Sequence, residues 1–465
     1  MGGMMVTQEK VQKVVSDQRR FFETGKTKEI SFRREQLKTF LSLTKDFETK
    51  ILDALYADLR KPQFEGFMSE VGLIYAETRF ALRHLKSWAK PRPVMGSWFT
   101  LLSRNWIYSE PRGVALIVGP WNYPLQLVVT PLIGAMAAGN CVVIKPSEYA
   151  PATASILREI IQKGFDPEYL NVVEGDAAVG DALVHQPFDY IFYTGGSNAA
   201  TAIMKAASER LTPITLELGG KSPAIVDQEV DLKLAAKRIV WGKFWNAGQT
   251  CIAPDYVLVQ KMRKTELIDQ MKKYLQTFYG EDPIKSPDYA RIINERHFNR
   301  LVNLMKDGKK IVGGDVREED LYISPTIIDG VTLSSPLMGE EIFGPLLPII
   351  EFQSLDEAID IVQKHPKPLS LYFFSNNKKH QEKILREISF GGGCINDTLL
   401  QFTNPRLPFG GVGGSGMGQA HGKYSYDTFS HFKSIVKSSP LSDLLPKYPP
   451  YGNKINWMKR IMRGL

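Results

Sequence analysis

Apolar side chains recur at helical spacing over residues 7–90, a region rich in Glu, Lys, Arg and Leu. The clearest run is FRREQLKTFLSLTKDFETKILDALYADL, which predicts an amphipathic helix over 32–59. The pattern ends in WAKPRPVMGSWFTLLSRNWIYSEPRG, where prolines and aromatic residues break the helical spacing. This second stretch is either a linker or a protruding hairpin.

Residues 113–144 contain no charged side chain, and a run of this length could be a membrane-spanning helix. Three prolines interrupt the run, and Asn122 and Asn140 would be buried in lipid, so we reject that interpretation. The better division is a strand (VALIV), a loop (GPWNYP), a helix (around LVVTPLIGAMAAG) and a strand (CVVIKP). Strands of a parallel sheet that are buried on both faces have this apolar composition.

Strands and helices continue to alternate as far as Gly220. The later strands of this part are NVVEGD, YIFYTGG and ITLELGG. Such alternation predicts an α/β fold with a doubly wound parallel sheet, whose ligands bind beyond the carboxyl ends of the strands. A second alternation runs through AIVD, DLKLAAKRIVWGKFW and YVLVQ and predicts a second α/β lobe. A glycine-rich segment and the strand-like FSHFKSIV come near the end of the chain.

Composition narrows the class of protein. The 465 residues exceed what one core usually serves, and 43% hydrophobic with 23% charged residues is ordinary for a globular protein. The net charge of +8 comes without a nucleic-acid-binding motif, so we expect no nucleic-acid partner. Three cysteines form neither a disulfide framework nor a zinc pattern. Because MGGMMVTQEKVQKVVSDQRR also lacks the apolar run of a secretion signal, we expect a cytoplasmic protein without a metal.

Cys251 lies in FWNAGQTCIAPDYVLVQ, between a Gly-Gln-Thr turn and a predicted strand. It is either a small apolar residue of a core or a thiolate nucleophile, and a loop position exposes sulfur to a cleft as a nucleophile requires. Cys141 and Cys394 lie in apolar, strand-like surroundings, where a buried inert thiol is expected.

Four further motifs have both a structural and a chemical interpretation. Glu217 of LELGGKSP is either an ion-paired or capping residue or a half-buried general base with a raised pKa. KPSE is either a solvated ion pair or a ribose site, and TGGSNAA, which fails the GxGxxG pattern, is either a plain turn or a pyrophosphate site. EEIFGP is either the end of a helix before a turn or a group that binds hydroxyls and a flat ring.

The motifs PWNYP, KPSE, LELGGKSP, GQTC and EEIFGP occur in this order, and together the chain resembles the NAD(P)-dependent aldehyde dehydrogenase superfamily. The resemblance extends to about residue 437 and is greatest to the class 3 branch, which includes fatty aldehyde dehydrogenases. Thr130-Pro131 stands where many other branches have Trp-Lys, as in class 3. The cofactor helix has Ala200 where the family usually has a third glycine, which still permits close packing.

The resemblance implies a domain organisation and a homodimer. The expected parts are an NAD(P)-binding domain (1–91 and 113–219), a catalytic domain (220–424), a bridging or oligomerisation region (92–112 and 425–438) and a C-terminal tail (439–465).

The resemblance also implies the roles of individual residues. It makes Cys251 the nucleophile, Glu217 the base that activates water and Asn122 the donor to the oxyanion. The expected cofactor is NAD, because the acid at position 148 would repel a 2′-phosphate, and use of NADP stays open. The residues expected to bind the cofactor are Pro120, Trp121, Lys145, Ser147, Glu148, Gly195, Gly196, Ser197, Glu341 and Phe343.

The tail KYPPYGNKINWMKRIMRGL carries five basic residues and no acid, with apolar residues spaced for one face of a short helix. Basic, apolar and Trp residues together favour peripheral binding to a membrane surface, and the alternative is a solvated tail. We expect a long-chain, aromatic or polyenal (retinal-like) aldehyde as substrate. Two other functions stay open, a CoA-acylating aldehyde dehydrogenase and a catalytically silent binding protein of the same fold.

Overall fold

The computed structural model describes residues 2–100, 102–444 and 447–464, and its helices and strands are numbered along the chain. The run that predicts one helix over 32–59 forms two, which divide at Phe47. The backbone of Phe47, with φ −98° and ψ 2°, leaves the helical region, and its side chain is buried. A π-helical turn, Phe67–Val71, separates the last two of the five helices that open the chain. These helices are α1 (Gly2–Glu23), α2 (Ile30–Asp46), α3 (Glu48–Leu59), α4 (Gln63–Gly66) and α5 (Gly72–Trp88).

The first sheet has six strands, five of them parallel. The predicted division of 113–144 into strand, loop, helix and strand is confirmed by β3, α6 and β4. The strands, in spatial order, are β17 (Gly416–Met417), β7 (Ile214–Glu217), β6 (Tyr190–Thr194), β3 (Val114–Val118), β4 (Cys141–Lys145) and β5 (Leu170–Val172). Only β17 is antiparallel, paired with β7. The helices of this part are α6 (Gln126–Ala138), α7 (Pro151–Gly164), α8 (Ala177–Val184) and α9 (Ser197–Ser208).

The second sheet has seven strands, and its central strands are also parallel. In spatial order they are β10 (Lys309–Val312), β13 (Thr326–Asp329), β14 (Leu346–Phe352), β9 (Tyr256–Gln260), β8 (Pro223–Val226), β15 (Ser370–Phe374) and β16 (Gly392–Ile395). A two-stranded hairpin accompanies it, β11 (Val316–Arg317) and β12 (Tyr322–Ile323). Its helices are α10 (Leu232–Phe244), α11 (Lys264–Tyr279), α12 (Glu295–Leu304), α13 (Pro336–Gly339), α14 (Leu355–Gln363) and α15 (Lys378–Glu387). Each of the two large sheets lies in its own hydrophobic core, and the predicted α/β fold with doubly wound parallel sheets is confirmed.

A third, antiparallel sheet joins distant parts of the chain. It contains β1 (Arg92–Val94), β2 (Arg104–Pro111) and β18 (Ser430–Lys437), in that order. The stretch after α5 is thus a hairpin rather than a linker. The domain limits stay a prediction. The limit at residue 424 does not coincide with a boundary between the two large sheets. Residue 424 falls inside α16 (Gly422–Thr428), which packs on α6, and β17 already belongs to the first sheet.

The C-terminal tail forms a helix, α17 (Lys454–Gly464). Its side chains meet the turn at Trp98, whose indole N–H lies 3.2 Å from the sulfur of Met462 and whose ring lies 6.0 Å from that of Trp457. Both residues of α17 stay about half exposed, as does Ile455. Among the described helices, none combines the length and the apolar character needed to cross a bilayer.

Candidate active site

The candidate residues lie at the carboxyl edge of the first sheet and at the amino edge of the second. Asn122, Lys145, Gly195 and Glu217 follow or end strands β3, β4, β6 and β7, at the carboxyl edge of the first sheet. Cys251 precedes strand β9 of the second sheet, whose parallel strands present their amino ends there. The carboxyl edge of one sheet therefore meets the amino edge of the other, and the site lies where they meet.

Asn122 is held at this junction by hydrogen bonds across it. Its side chain is buried, and its amide nitrogen donates to the carbonyl of Gln249 over 3.1 Å. Its own carbonyl accepts from Lys61 and from the amide of Asn246, each over 3.0 Å. Next to it, the hydroxyl of Tyr123 lies 2.6 Å from that of Thr250. The loop after β3 and the loop that carries the cysteine are thus fixed to each other.

The loop before Cys251 has an unusual backbone. Asn246 and Ala247 have φ values of 53° and 50°, a left-handed conformation that costs energy for residues other than glycine. At Gly248 a Cβ atom would lie 2.3 Å from the carbonyl oxygen of Gly344, so glycine is required there. Gln249 is fully buried; its side chain donates to the carbonyl of Arg291 and accepts from a backbone N–H. The surrounding structure thus holds a strained turn, as is common at functional sites.

Cys251 is half-buried and lies in the loop before β9. Burial raises the pKa of its thiol, and the nearby carboxyls of Glu341 and Glu217 raise the pKa further. Of the other two thiols, Cys141 is fully buried, and that of Cys394 donates to the side chain of Gln401. Cys251 is the cysteine that faces the two candidate acids.

Glu217 ends strand β7 and is 4% exposed. Within the described residues, neither of its carboxyl oxygens has a hydrogen-bond partner. Burial raises the pKa of this carboxyl well above its usual range, as expected for an acid without a compensating donor. The capping and ion-pair interpretations of Glu217 are therefore wrong, whereas a base that takes a proton from water needs such a site.

Glu341 lies in the loop before β14, and its carboxyl fills the space above Gly219. A Cβ atom at position 219 would lie 2.0 Å from that carboxyl, so only glycine leaves room for it. Burial raises the pKa of Glu341 to about 8. The loop is anchored by Lys221, which pairs with Asp255 over 2.5 Å and donates to the carbonyl of residue 340 over 2.9 Å.

Lys145, Ser147 and Glu148 line the end of β4 and the start of α7. The ammonium of Lys145 is buried and lies 2.5 Å from the carboxylate of Glu148, which is 32% exposed. Ser147 and Glu148 line a cleft of about 200 Å³, together with Pro146, Pro151, Ala154, Ser155, Arg158, Glu174 and Gly175. This open cleft distinguishes the motif from an ion pair on a flat surface.

Gly195, Gly196 and Ser197 form the turn from β6 into α9. A Cβ atom at Gly195 would lie 2.3 Å from the hydroxyl of Tyr193, whereas nothing stands within 4 Å of one at Gly196. Among the residues that the structure describes, no side chain caps α9, so the N–H groups of its first turn have no side-chain partner. This arrangement suits an anionic group, because the amino end of a helix attracts negative charge.

Trp121 and Phe343 meet edge to face, with ring centroids 5.2 Å apart, next to Pro120. Trp121 also contacts the ring of His297 at 4.9 Å, and burial lowers the pKa of that histidine to about 4. Phe343 has φ 50°, which turns its loop sharply after Glu341. Aromatic rings from separate loops therefore meet at this point.

Sequence reasoning missed the residues that hold the site together. Lys61 and the acids near it lie in the helical N-terminal region, where charge usually indicates a solvated helix face. Lys221 and Gln249 stand inside motifs quoted above, and that position was the available signal. The missed residues are Lys61, Glu65, Glu70, Lys221, Gln249, Asp255 and Arg300.

The chain is similar to known proteins over nearly its whole length. A sequence model described as "Aldehyde dehydrogenase family" matches residues 4–435. A protein of Staphylococcus aureus (strain NCTC 8325 / PS 47), named 4,4'-diaponeurosporen-aldehyde dehydrogenase, is 47% identical over 450 residues, which are 96% of this chain and 98% of the relative. "Aldehyde dehydrogenase family 3 member H1" of Arabidopsis thaliana is 44% identical over 97% of this chain and 94% of its own length.

A solved structure described as "Substrate bound state of Staphylococcus Aureus AldH" has the same fold. It superposes with a TM-score of 0.95 at 46% identity and covers 97% of this chain and 99% of that one. The predicted resemblance, including that to the class 3 branch, is confirmed. On the extent of these matches, the chain belongs to the aldehyde dehydrogenase family and is an oxidoreductase that acts on aldehydes.

Proposed function

We propose that this enzyme oxidises an apolar aldehyde to its carboxylic acid with NAD(P) as the hydride acceptor and a thioester on Cys251 as the intermediate. The observation that carries the proposal is the meeting of Asn122, Glu217 and Cys251 between the two sheets. A nucleophile, a base and an amide donor from three loops stand at one junction, as acyl transfer requires.

The residues perform the reaction in two halves. The Cys251 thiolate attacks the carbonyl carbon, a C–S bond forms, and the carbonyl electrons move to oxygen. The amide of Asn122 and the backbone N–H of Cys251 donate to this oxyanion; loss of one such donor costs about 2.7–4 kcal/mol in the barrier. The bound nicotinamide supplies the acceptor for the hydride that leaves the same carbon. Glu217 then takes a proton from water, whose hydroxyl displaces the sulfur to give the acid and the free thiolate.

Several features of the site suit the parts of a dinucleotide. The cleft beside Ser147 and Glu148 suits the adenosine end, and the uncapped start of α9 at Gly195, Gly196 and Ser197 suits the pyrophosphate. At the other end, Glu341 suits ribose hydroxyls, and the rings of Phe343 and Trp121 with Pro120 suit the nicotinamide. The carboxylate of Glu148 favours NAD, with Lys145 as the second ribose ligand, and leaves NADP as the weaker cofactor.

The buried, unpaired carboxyl of Glu217 supports hydrolysis over transfer to CoA. A CoA-acylating enzyme needs no group that activates water. Burial of a carboxyl without a partner among the described residues costs stability, and a role in hydrolysis would account for such a carboxyl at this position. A catalytically silent protein has the same difficulty. Long-chain, aromatic and polyenal aldehydes are the proposed substrates, because of the apolar tail helix and of the aldehyde in the name of the Staphylococcus aureus relative.

Oxidation is tested by NADH absorbance with short, aromatic, long-chain and polyenal aldehydes. We expect turnover without CoA, and none with Cys251→Ala, which keeps cofactor binding. Glu217→Gln should release about one NADH per site in a burst and then stall, because the thioester forms without the base that hydrolyses it. Normal turnover of Glu217→Gln after the burst would contradict the role of this residue.

The rate should also depend on pH in one direction. Cys251 and Glu217 must both lose a proton to act, and burial raises the pKa of each, so kcat should rise with pH from about 6 to about 9. The rate of the initial burst of Glu217→Gln should rise with pH as well, since this rate depends on the thiol alone. A maximum near the acid end of this range in the wild-type profile would be inconsistent with these assignments.

We also propose a homodimer formed through the third sheet. Strand β18 is paired on one side only, and Phe432, Ile435 and Val436 on it are 44%, 41% and 52% exposed. An edge strand with this apolar exposure suits a second copy of the chain. Light scattering should give twice the chain mass of 52.4 kDa, and Ile435→Glu with Val436→Lys should reduce it to one chain. A wild-type monomer at micromolar concentration would refute the proposal.

Helix α17 is proposed to bind a membrane surface. Lys454, Lys459, Arg460 and Arg463 accompany the half-exposed Trp457 on this short helix. In sedimentation with phosphatidylserine vesicles, the wild type should bind to the vesicles. The protein without residues 447–465 should not bind, and neither should the double variant Lys459→Glu with Arg460→Glu. The control variant reverses the charges of Lys309 and Lys310, an exposed basic pair on β10. Equal loss in the control would mean that net charge, rather than α17, causes binding.

A further inference from the structure

The described residues include an ion pair that is removed from water yet contacts the proposed oxyanion donor. The ammonium of Lys61 lies 2.5 Å from the carboxylate of Glu70, and neither side chain has exposed surface. Because desolvation offsets most of the attraction between buried charges, such a pair adds little net stability. Its retention in the core therefore calls for another role.

The pair forms hydrogen bonds with both ends of the turn between β3 and α6. Lys61 donates to the carbonyl of Asn122 over 3.0 Å, and its ammonium lies 4.2 Å from the centre of the Tyr123 ring. The other carboxyl oxygen of Glu70 accepts from the backbone N–H groups of Leu125 and Gln126, over 2.9 and 3.1 Å, at the start of α6. A negative charge at this helix end also complements the helix dipole.

The opposite side of the turn is held by the loop that carries the nucleophile. The amide of Asn246 donates both to the Asn122 carbonyl, over 3.0 Å, and to the Gln249 carbonyl, over 3.2 Å. The N–H of Asn246 in turn donates to the carboxyl of Glu65 over 3.0 Å. The Asn122 carbonyl thus has two donors, from opposite sides, and its main chain has little freedom to rotate.

We propose that Lys61 and Glu70 are positioning residues, which fix the main chain of Asn122 so that its side-chain amide meets the oxyanion formed on attack by Cys251. This assignment rests on the proposed function. Lys61 has no exposed surface, and its ammonium contacts the backbone carbonyl of Asn122. Lys61 therefore acts through Asn122 and does not touch the substrate. A shift of about 1 Å in a catalytic group can reduce the rate by about 10²-fold.

The test uses variants that leave no unpaired charge in the core. Lys61→Met with Glu70→Gln removes both charges, and the new side-chain amide keeps an acceptor oxygen for the two helix N–H groups. The second variant is Lys61→Gln with Glu70→Gln, which also removes both charges but places a side-chain amide donor at position 61. The control is Arg19→Met with Asp189→Asn, an ion pair that caps β3 at its amino end, away from the site. The measurements are kcat and KM for decanal with NAD, and the rate at which iodoacetamide alkylates Cys251.

The paired variant should lose about 10²-fold in kcat, with a smaller change in KM. Alkylation should stay within about two-fold, because displacement of iodide forms no oxyanion, and the Arg19 control should keep its kcat. Added to Asn122→Ala, the paired variant should cause no further loss, since two residues that act through one group are not additive. Lys61→Gln with Glu70→Gln should lower kcat in the same direction by a smaller factor, because a donor to the Asn122 carbonyl is kept.

Two results would overturn the assignment alone: a wild-type kcat in the paired variant while Asn122→Ala is slow, or a fully additive loss in the combined variant. A wild-type kcat in Asn122→Ala would overturn the proposed function together with it.

Discussion

The hydrogen bond from the Asn122 amide to the Gln249 carbonyl joins the two halves on which the site depends. Neither sheet alone contains the chemistry. The first brings the amide of Asn122 and the carboxyl of Glu217 to its carboxyl edge, and the second brings the thiol of Cys251 and the carboxyl of Glu341 to its amino edge. Since three of these groups are ionisable and largely removed from water, their geometry has to be held by buried contacts rather than by solvent.

Burial has a chemical consequence that unites the site. It raises the pKa of Glu217, of Glu341 and of the Cys251 thiol, so each favours its neutral form without ligands. The neutral groups limit repulsion among three acids in one small space. In the proposed reaction Cys251 and Glu217 must release their protons to act, which couples the rate to pH. Charged pairs hold the loops around these groups: Lys61 with Glu70 holds the turn of Asn122, and Lys221 with Asp255 holds the loop of Glu341.

The parallel sheets could be predicted because strands buried on both faces leave long uncharged runs between helices. The same logic located Asn122, Lys145, Gly195 and Glu217, which stand at the ends of such strands. It could not locate Cys251 or Glu341 by position, since they precede strands of the second sheet, where the carboxyl-end rule does not apply. Short motifs and their order indicated those two.

Other features depend on contacts between residues distant in the sequence. The helix break lies at Phe47, whose ring is buried, and the role proposed for Lys61 follows from a contact with Asn122, sixty-one residues away. Local spacing contains no record of either. The domain limits show a similar weakness, because β17 and α16 return to the first part after the second sheet is complete.

The central claim is that the sulfur at position 251 carries the acyl group. Its most direct test is rapid acid quenching of the wild-type enzyme during turnover, followed by proteolysis and mass spectrometry. The peptide that contains Cys251 should gain the mass of the acyl group, and the peptides of Cys141 and Cys394 should not. An unmodified Cys251 peptide during steady NADH production, or an acyl group on another residue, would contradict the account.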